Sequence, residues 1–452
     1  MRNPNPSPRS DPDVLTRFHE ELARAAAMPA LAPAGPALWP RFAGYYQGLT
    51  RLPRRLRRAL QRRWRRSLGG IALLCALGPA AMAATINVDE TCLLINAINS
   101  ANSNTSVTGC ESGSGADTIV LTNGRRVFGV DNSEFGPTGF PVIRSQITIQ
   151  GNGNPVLRDG NGDSIPEFRI FAVGVDGDLT LENIKVSGGV ADDGDGGGGI
   201  RSLGRLTLIN STISGNLASF GGGISGGGTT LLIRSTISGN TAQISGGGIA
   251  TVDEETIFDS AIFGNTAQYG GGAFSQSNAT IINSTVSGNT AQLDGGGLLN
   301  FRYRTLTLTN STVSGNTAGR HGGGIDNREG ASDALKFTIL TLINSRLSGN
   351  TAPGFGREVN NAFTGLGVGT VIADRFNLFG HSGSSGTLGF SPGPLDITPN
   401  EPLTAILDTT LRGNGGLTPT HALVTGSPAL DIVSHIDCAT TADQRGLTRL
   451  HR

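Results

Sequence analysis

The sequence predicts an all-β chain, a right-handed parallel β-helix: a solenoid of roughly 24–27-residue coils with end caps. Three observations lead there. The Asn of an S-G-N or F-G-N phrase recurs at 216, 240, 265, 289, 316 and 350, with gaps of 24 to 27 residues and a last gap of 34. Glycine triplets keep step at 197–199, 221–223, 246–248, 270–272, 295–297 and 322–324, and such a period marks a solenoid. Between them lie short alternating pieces such as L-T-L-I-N and L-T-L-T-N, and at about 3.3 Å per residue one repeat gives three short strands plus turns.

Competing architectures fail on residue type. The 68 glycines among 452 residues follow no Gly-X-Y period, which excludes collagen. No L-x-x-L-x-L run supports a leucine-rich repeat, and no G-G-x-G-x-D nonapeptide supports a calcium-binding solenoid. Isoleucine, leucine and valine are frequent while Met and Trp number 3 and 2, a composition suited to thin β layers. In a solenoid each residue stacks on its copy one coil away, about 4.8 Å off, so every column must tolerate itself. Ile213, Ile237, Ile262, Val286, Val313 and Leu347 form an apolar interior column. Asn216, Asn240, Asn265, Asn289, Asn316 and Asn350 form a structural ladder in which each amide donates to a neighbouring coil and satisfies buried turn groups.

Taken in order, residues 1–66 form a basic extension expected to lack fixed structure, and residues 67–83 are the hydrophobic region of a signal peptide. The first 83 residues carry 14 Arg and 4 acidic residues, a balance of +10 that leaves −10 for the remainder. The basic run R-L-P-R-R-L-R-R-A-L-Q-R-R-W-R-R leads directly into S-L-G-G-I-A-L-L-C-A-L-G-P-A-A-M-A, which ends small-x-small at Ala81-Met82-Ala83, the pattern of a secretory signal. After its removal no segment is long and apolar enough to span a membrane, and an acidic mature chain argues against nucleic acid as a partner. Residues 84–116 form a cysteine-containing N-terminal cap, in which Cys92 and Cys110 can close a disulfide once exported, worth about 3 kcal/mol. Residues 117–380 are the β-helix, and 381–452 a C-terminal capping segment.

The segment I-N-V-D-E-T-C-L-L-I-N-A-I-N-S-A-N-S-N-T-S-V-T-G-C-E-S-G-S-G-A-D-T-I-V-L, 86–121, resembles the N-terminal module named after a C-S-L-R-E-A motif of exported bacterial β-helix proteins. Cys92, Ala97, Ile98, Ala101, Asn102, Cys110, Asp117, Thr118 and Ile119 match it, whereas Leu93, Ile95 and Asn96 depart from its signature letters. The stretch N-G-G-L-T-P-T-H-A-L-V-T-G-S-P-A-L-D-I-V through D-Q-R-G-L-T-R resembles the choice-of-anchor Q segment, and the repeats are similar to those of polymorphic outer-membrane proteins. The resemblance implies export to an extracellular, cell-surface or outer-membrane location, and it implies no catalytic residues. It also implies a second cysteine beyond D-Q-R-G, which would partner Cys438; the sequence here runs instead to R-L-H-R, so a truncated C-terminus is expected.

Chemistry on such a scaffold is sought where the repeat is broken. Immediately before the glycine triplets stand Gly196, Phe220, Ser245, Tyr269, Asp294 and His321, which makes Asp294 and His321 candidate acid–base neighbours in adjacent coils. After the triplets, Asp253, Glu254 and Glu255, then Arg302 and Arg304, then Asp326, Arg328 and Glu329 are placed on one side, with Arg302 and Asp326 as a candidate pair. Phe220, Tyr269 and Tyr303 can stack on sugar rings. No cofactor is expected; calcium is the one candidate ion, at Asp159, Asn161 and Asp163 in D-G-N-G-D-S-I-P-E, with Asp192, Asp193 and Asp195 as a poorer set. The sequons at Asn210, Asn283 and Asn310 fall in a repeat column, so packing explains their N-S-T pattern. The main expectation is a non-enzymatic exported surface that binds glycans or host and matrix components. A secreted polysaccharide lyase or glycoside hydrolase acting in a groove is the alternative, and an inactive truncated remnant the third.

Overall fold

The computed structural model describes residues 83–448, except 128, 132–133, 159–165, 303, 329–337, 362–368, 431 and 434–436. The basic extension, the signal region, the calcium candidates Asp159, Asn161 and Asp163, and Tyr303 and Glu329 lie outside the described residues, as do the side chains of Asp192, Asp193 and Asp195.

The chain is a parallel β-solenoid. One coil runs through strands Arg205–Ile209, Thr212–Ser214, Leu217–Phe220 and Ile224–Gly226 before Thr230–Ile233 opens the next. Stacked coils make four parallel walls, of eleven, ten, six and nine strands in that order around the coil. The sequence suggests three strands per coil; the fourth wall arises because the short pieces after the ladder asparagines, T-A-Q at three of them, also pair with their copies, as in Thr241↔Thr266 and Thr266↔Thr290. Those pieces are too short and too polar to show alternation, and only stacking makes them strands.

Register follows the repeat. Ile213, Ile237, Ile262, Val286, Val313 and Leu347 pair in one file across the ten-stranded wall and are all buried. The corner between the eleven- and ten-stranded walls needs a left-handed residue, and Asn183, Asn210, Asn283, Asn310 and Asn344 supply it with φ of 49–54°. Asparagine tolerates that conformation better than other side chains. After Asn183 comes Ile184, but from Ser211 to Ser345 the residue after the corner is a serine. From Ser235 on, its hydroxyl accepts the backbone N–H of the serine one coil earlier, from Ser211 N–H to Ser235 Oγ at 3.1 Å through Ser311 N–H to Ser345 Oγ at 3.2 Å. The N-S-T sequons are therefore a turn residue and a ladder residue side by side.

The six ladder asparagines stand in single file. Each Nδ2 donates to the next Oδ1 at 2.8–3.0 Å, from Asn216 to Asn240 through Asn316 to Asn350. Each Oδ1 also accepts the backbone N–H of the preceding Asn, and Asn216 Oδ1 accepts from Gly189 N–H at 2.9 Å. All the amides point the same way, so their dipoles add along the file. This explains the last glycine of each triplet: a Cβ on Gly272 would lie 3.0 Å from Asn289 Nδ2 and 2.5 Å from Gly297 O. Where the file ends, Glu358, the register successor of the triplet glycine Gly324, reaches across the coil and its Oε2 accepts the final Asn350 Nδ2–H. A carboxylate acceptor at the donor end of aligned amides replaces the next asparagine.

At the start, Thr85–Val88 is already the first strand of the eleven-stranded wall and pairs with Asp117–Leu121, so the solenoid begins inside the segment expected to be only a cap. Between these strands the helix Leu94–Ser103 buries Leu94, Ala97, Ile98 and Ala101 in the core cluster, and Asn102 Nδ2 donates to Val142 O at 2.8 Å. Cys92 and Cys110 are joined by a disulfide with Cα atoms 4.7 Å apart. At the other end, Asp396 accepts the backbone N–H groups of Arg375 and Asn377 and so holds the last coil.

Residues beyond 402 turn back along the ten-stranded wall. Leu403 lies against Gly349, His421 Nε2 is 2.8 Å from Ser287 Oγ, and Thr418 Oγ1 donates to Asp259 O at 2.9 Å. Gln444 of D-Q-R-G accepts from Thr285 Oγ1 and donates to Ser260 O and Thr418 Oγ1. The segment acts as a strap along the wall. Gln444→Ala is expected to free it, seen as limited proteolysis within residues 403–430 at least about 5-fold faster than in the parent protein, because the opening free energy falls by about 1–3 kcal/mol. Residues 437–442 belong to a separate unit, in which the Cys438 thiol is outside any disulfide among the described residues and donates to Thr440 O at 3.1 Å.

Candidate functional site

The strand after each glycine triplet alternates between the two faces of its wall. Its first residue is interior: Ile200, Ile224, Ile249, Ala273, Leu298 and Ile325 are buried. Its second residue points outward, and in register these are Arg201, Ser225, Ala250, Phe274, Leu299 and Asp326. The adjoining six-stranded wall ends on the column Gly196, Phe220, Ser245, Tyr269, Asp294 and His321, so the residues before the triplets do form one file. Between the two columns lies a groove of about 630 Å³. Ser225, Gly226, Gly227 and Ala250 leave its floor low, while Phe220, Tyr269, Phe274 and Phe301 give it aromatic sides. Phe220 is 37% exposed. Phe220 and Tyr269 stand two tiers apart, about 10 Å, and the Phe274 and Phe301 rings are 5.9 Å apart. Among the described residues Arg201 and Arg328 are its charged members, and no described carboxylate or histidine lines it.

At the Arg328 end the expected acid–base constellation is arranged differently. Asp294 and His321 are bridge partners, but the Asp294 carboxylate accepts the His321 backbone N–H at 3.2 Å instead of meeting the ring. It is engaged by Arg320, whose Nε lies 2.8 Å from Oδ1, and by Arg328 at 2.7 Å. Burial works to raise the Asp294 pKa, and the two guanidinium groups outweigh it and hold the carboxyl below its ordinary value. The His321 ring stacks on Phe355 with centroids 5.8 Å apart, its Nδ1 accepts the Phe355 N–H, and burial lowers its pKa. Asp294 and His321 are therefore not an acid–base pair.

Arg302 and Asp326 are not a pair either. Arg302 takes a left-handed turn with φ 60° and lays its guanidinium over the Phe301 ring at 5.2 Å, whereas fully buried Asp326 pairs with Arg328 and accepts from Asn360 Nδ2 at 2.8 Å. Burial pushes the Asp326 pKa up to about 6, against the pull of Arg328. Of the acidic run, Asp253 and Glu254 are exposed at a corner, while Glu255 turns into the interior. The chain thus builds Arg320–Asp294–Arg328–Asp326, a closed charge network that fixes Arg328 at the groove. Arg320, Phe274 and Phe301 escaped the sequence analysis. The signal for the two phenylalanines was present: they occupy the second and fourth positions after a triplet residue 272 or 297, the outward positions of an alternating strand.

The fold and this groove define a parallel β-solenoid with an aromatic-lined outer groove. No family model matches the chain, and no curated protein matches it. Among solved structures, the crystal structure of pectate lyase Pel9A is similar over 74% of this chain and 80% of that one, with 16% identity and a TM-score of 0.36. Among the described residues, no helix is long and apolar enough to cross a membrane.

Proposed function

We propose that the protein is an exported binding protein whose groove takes an extended glycan of a cell surface or matrix, and that it holds this ligand without cleaving it. One observation carries the proposal: the groove is lined by aromatic faces and two arginines, and among the described residues no carboxylate or histidine lines it to transfer a proton. Aromatic rings stack on the apolar faces of sugars, and guanidinium groups donate in a fixed fork to hydroxyl or carboxylate oxygens. Ligand along the groove would run parallel to the solenoid axis and meet a new side chain at each tier. The signal region and the two end-module resemblances support the same proposal, in which the groove lies outside the cell.

Affinity electrophoresis against neutral and acidic polysaccharides tests it. The parent protein is expected to be retarded by at least one of them, and Phe274→Ala to weaken that binding about 5- to 10-fold, about 1–1.4 kcal/mol. Absence of retardation across the panel would overturn the proposal. The lyase or hydrolase reading has one observation in its favour, the Arg328 guanidinium set at the groove beside two carboxylates. Under it the parent protein releases unsaturated products or reducing ends and Arg328→Ala does not; under the binding proposal neither does.

A further inference from the structure

We infer that a monovalent cation, sodium or potassium, binds inside the solenoid at Glu255, directly beneath the groove floor. Glu255 is 2% exposed, and among the described residues no lysine or arginine reaches its carboxylate. Its Oε2 accepts from Thr251 Oγ1 at 2.9 Å, and Thr251 Oγ1 lies 3.1 Å from Ser277 Oγ, which is 2.8 Å from Ser275 Oγ. Its Oε1 has no hydrogen-bond partner. The register partner of Glu255 one coil earlier is Thr230, buried, with an Oγ1 that also has none. Two unpartnered oxygens thus occur on neighbouring interior positions of adjacent strands.

The surroundings say what would join them. Gly226 is the one residue without a side chain in an interior column that otherwise reads Val173, Ser202, Thr251, Ser275, Asn300 and Asn327, and a Cβ there would lie 2.8 Å from Thr230 Oγ1 and 3.0 Å from Thr251 Cγ2. Its absence leaves room between the two hydroxyl residues. On the other strand partner of Glu255 stands Ala279, so no charged group faces the carboxylate from the strands on either side. The donors offered are all oxygen, which selects a hard cation. They include a single carboxylate, so one positive charge balances the site, whereas a divalent ion would leave an uncompensated charge in a medium of low dielectric. Burial pushes the Glu255 pKa up to about 7, so above neutrality the site must either charge without a partner or take a cation.

Thermal unfolding of the full chain at about pH 8, in sodium, potassium or choline chloride at matched ionic strength, tests this. Sodium or potassium is expected to raise the Tm by about 5 °C over choline, and Glu255→Gln to abolish that difference. Thr230→Val, which keeps the carboxylate and removes one oxygen, is expected to move the midpoint of the cation titration to about 10-fold higher concentration, about 1.4 kcal/mol. Equal Tm values in all three salts would show that the site holds a proton alone and would overturn the inference. So would a cation effect that persists unchanged in both variants; should Glu255→Gln fail to fold, Thr230→Val decides by itself.

Discussion

Asn265→Ala is expected to destabilise the solenoid by about 3–5 kcal/mol, read as a lower midpoint in urea. The residue is fully buried at the centre of the file. Its Oδ1 accepts both the backbone N–H and the Nδ2 of Asn240, at 2.9 and 3.0 Å, and its own Nδ2 donates to Asn289 Oδ1 and to Ile237 O. Alanine would leave these groups in a dry interior with no water to replace them, and each orphaned group costs about 1–3 kcal/mol. Asn265→Asp separates shape from donation. It keeps both acceptor functions and removes only the donor, setting a carboxylate against Asn289 Oδ1. It is expected to be at least as destabilising as alanine at neutral pH and milder near pH 4, where a protonated acid can donate. A loss below about 1 kcal/mol in either variant would mean that the ladder adds little beyond the backbone strands.

Glu358 is expected to make the protein less stable as pH rises from about 4.5 to about 7. Burial raises its pKa to about 7 although Asn350 and Gly349 donate to it. A carboxyl raised above its unfolded value of 4.5 stabilises the fold fully below that value, and the contribution is lost as pH climbs through the folded one. The shift corresponds to about 3 kcal/mol. Glu358→Gln retains an oxygen for Asn350 Nδ2 but turns an NH2 toward the Gly349 N–H. The variant is therefore expected to be weaker than the parent by about 1–3 kcal/mol near pH 5 and to close that gap by about pH 8. Parallel stability curves for the two proteins would refute the assignment of Glu358 as a titrating terminator of the file.

Much of the molecule was legible because a solenoid repeats its own evidence. A column such as Ile213 to Leu347, or Asn216 to Asn350, is one structural position sampled six times, so period and residue type together locate it on the coil. The pairing of the last triplet glycine with asparagine was not legible, since the two lie 17 to 26 residues apart, 17 for Gly272 and Asn289, and meet only when the coil closes. A second ladder, Asn300 to Asn327 at 2.8 Å and Asn327 to Asn361 at 2.6 Å, was missed because it occupies only the last coils and lacks a recurring phrase. At the groove, the file of residues before the triplets could be read from spacing. The partner of Asp294 could not, because spacing ranks His321 and Arg320 alike, and side-chain reach decides between them.

By itself the sequence determined the coil, its register and its interior, because stacking like upon like is a one-dimensional condition that a period satisfies or fails. The fourth wall, the strap, the pairing of the carboxylates and the placement of Glu255 were decided only by tertiary structure. Each of these depends on which way a side chain or a returning segment turns across neighbouring coils, where the repeat is silent because the residues concerned are those that break it.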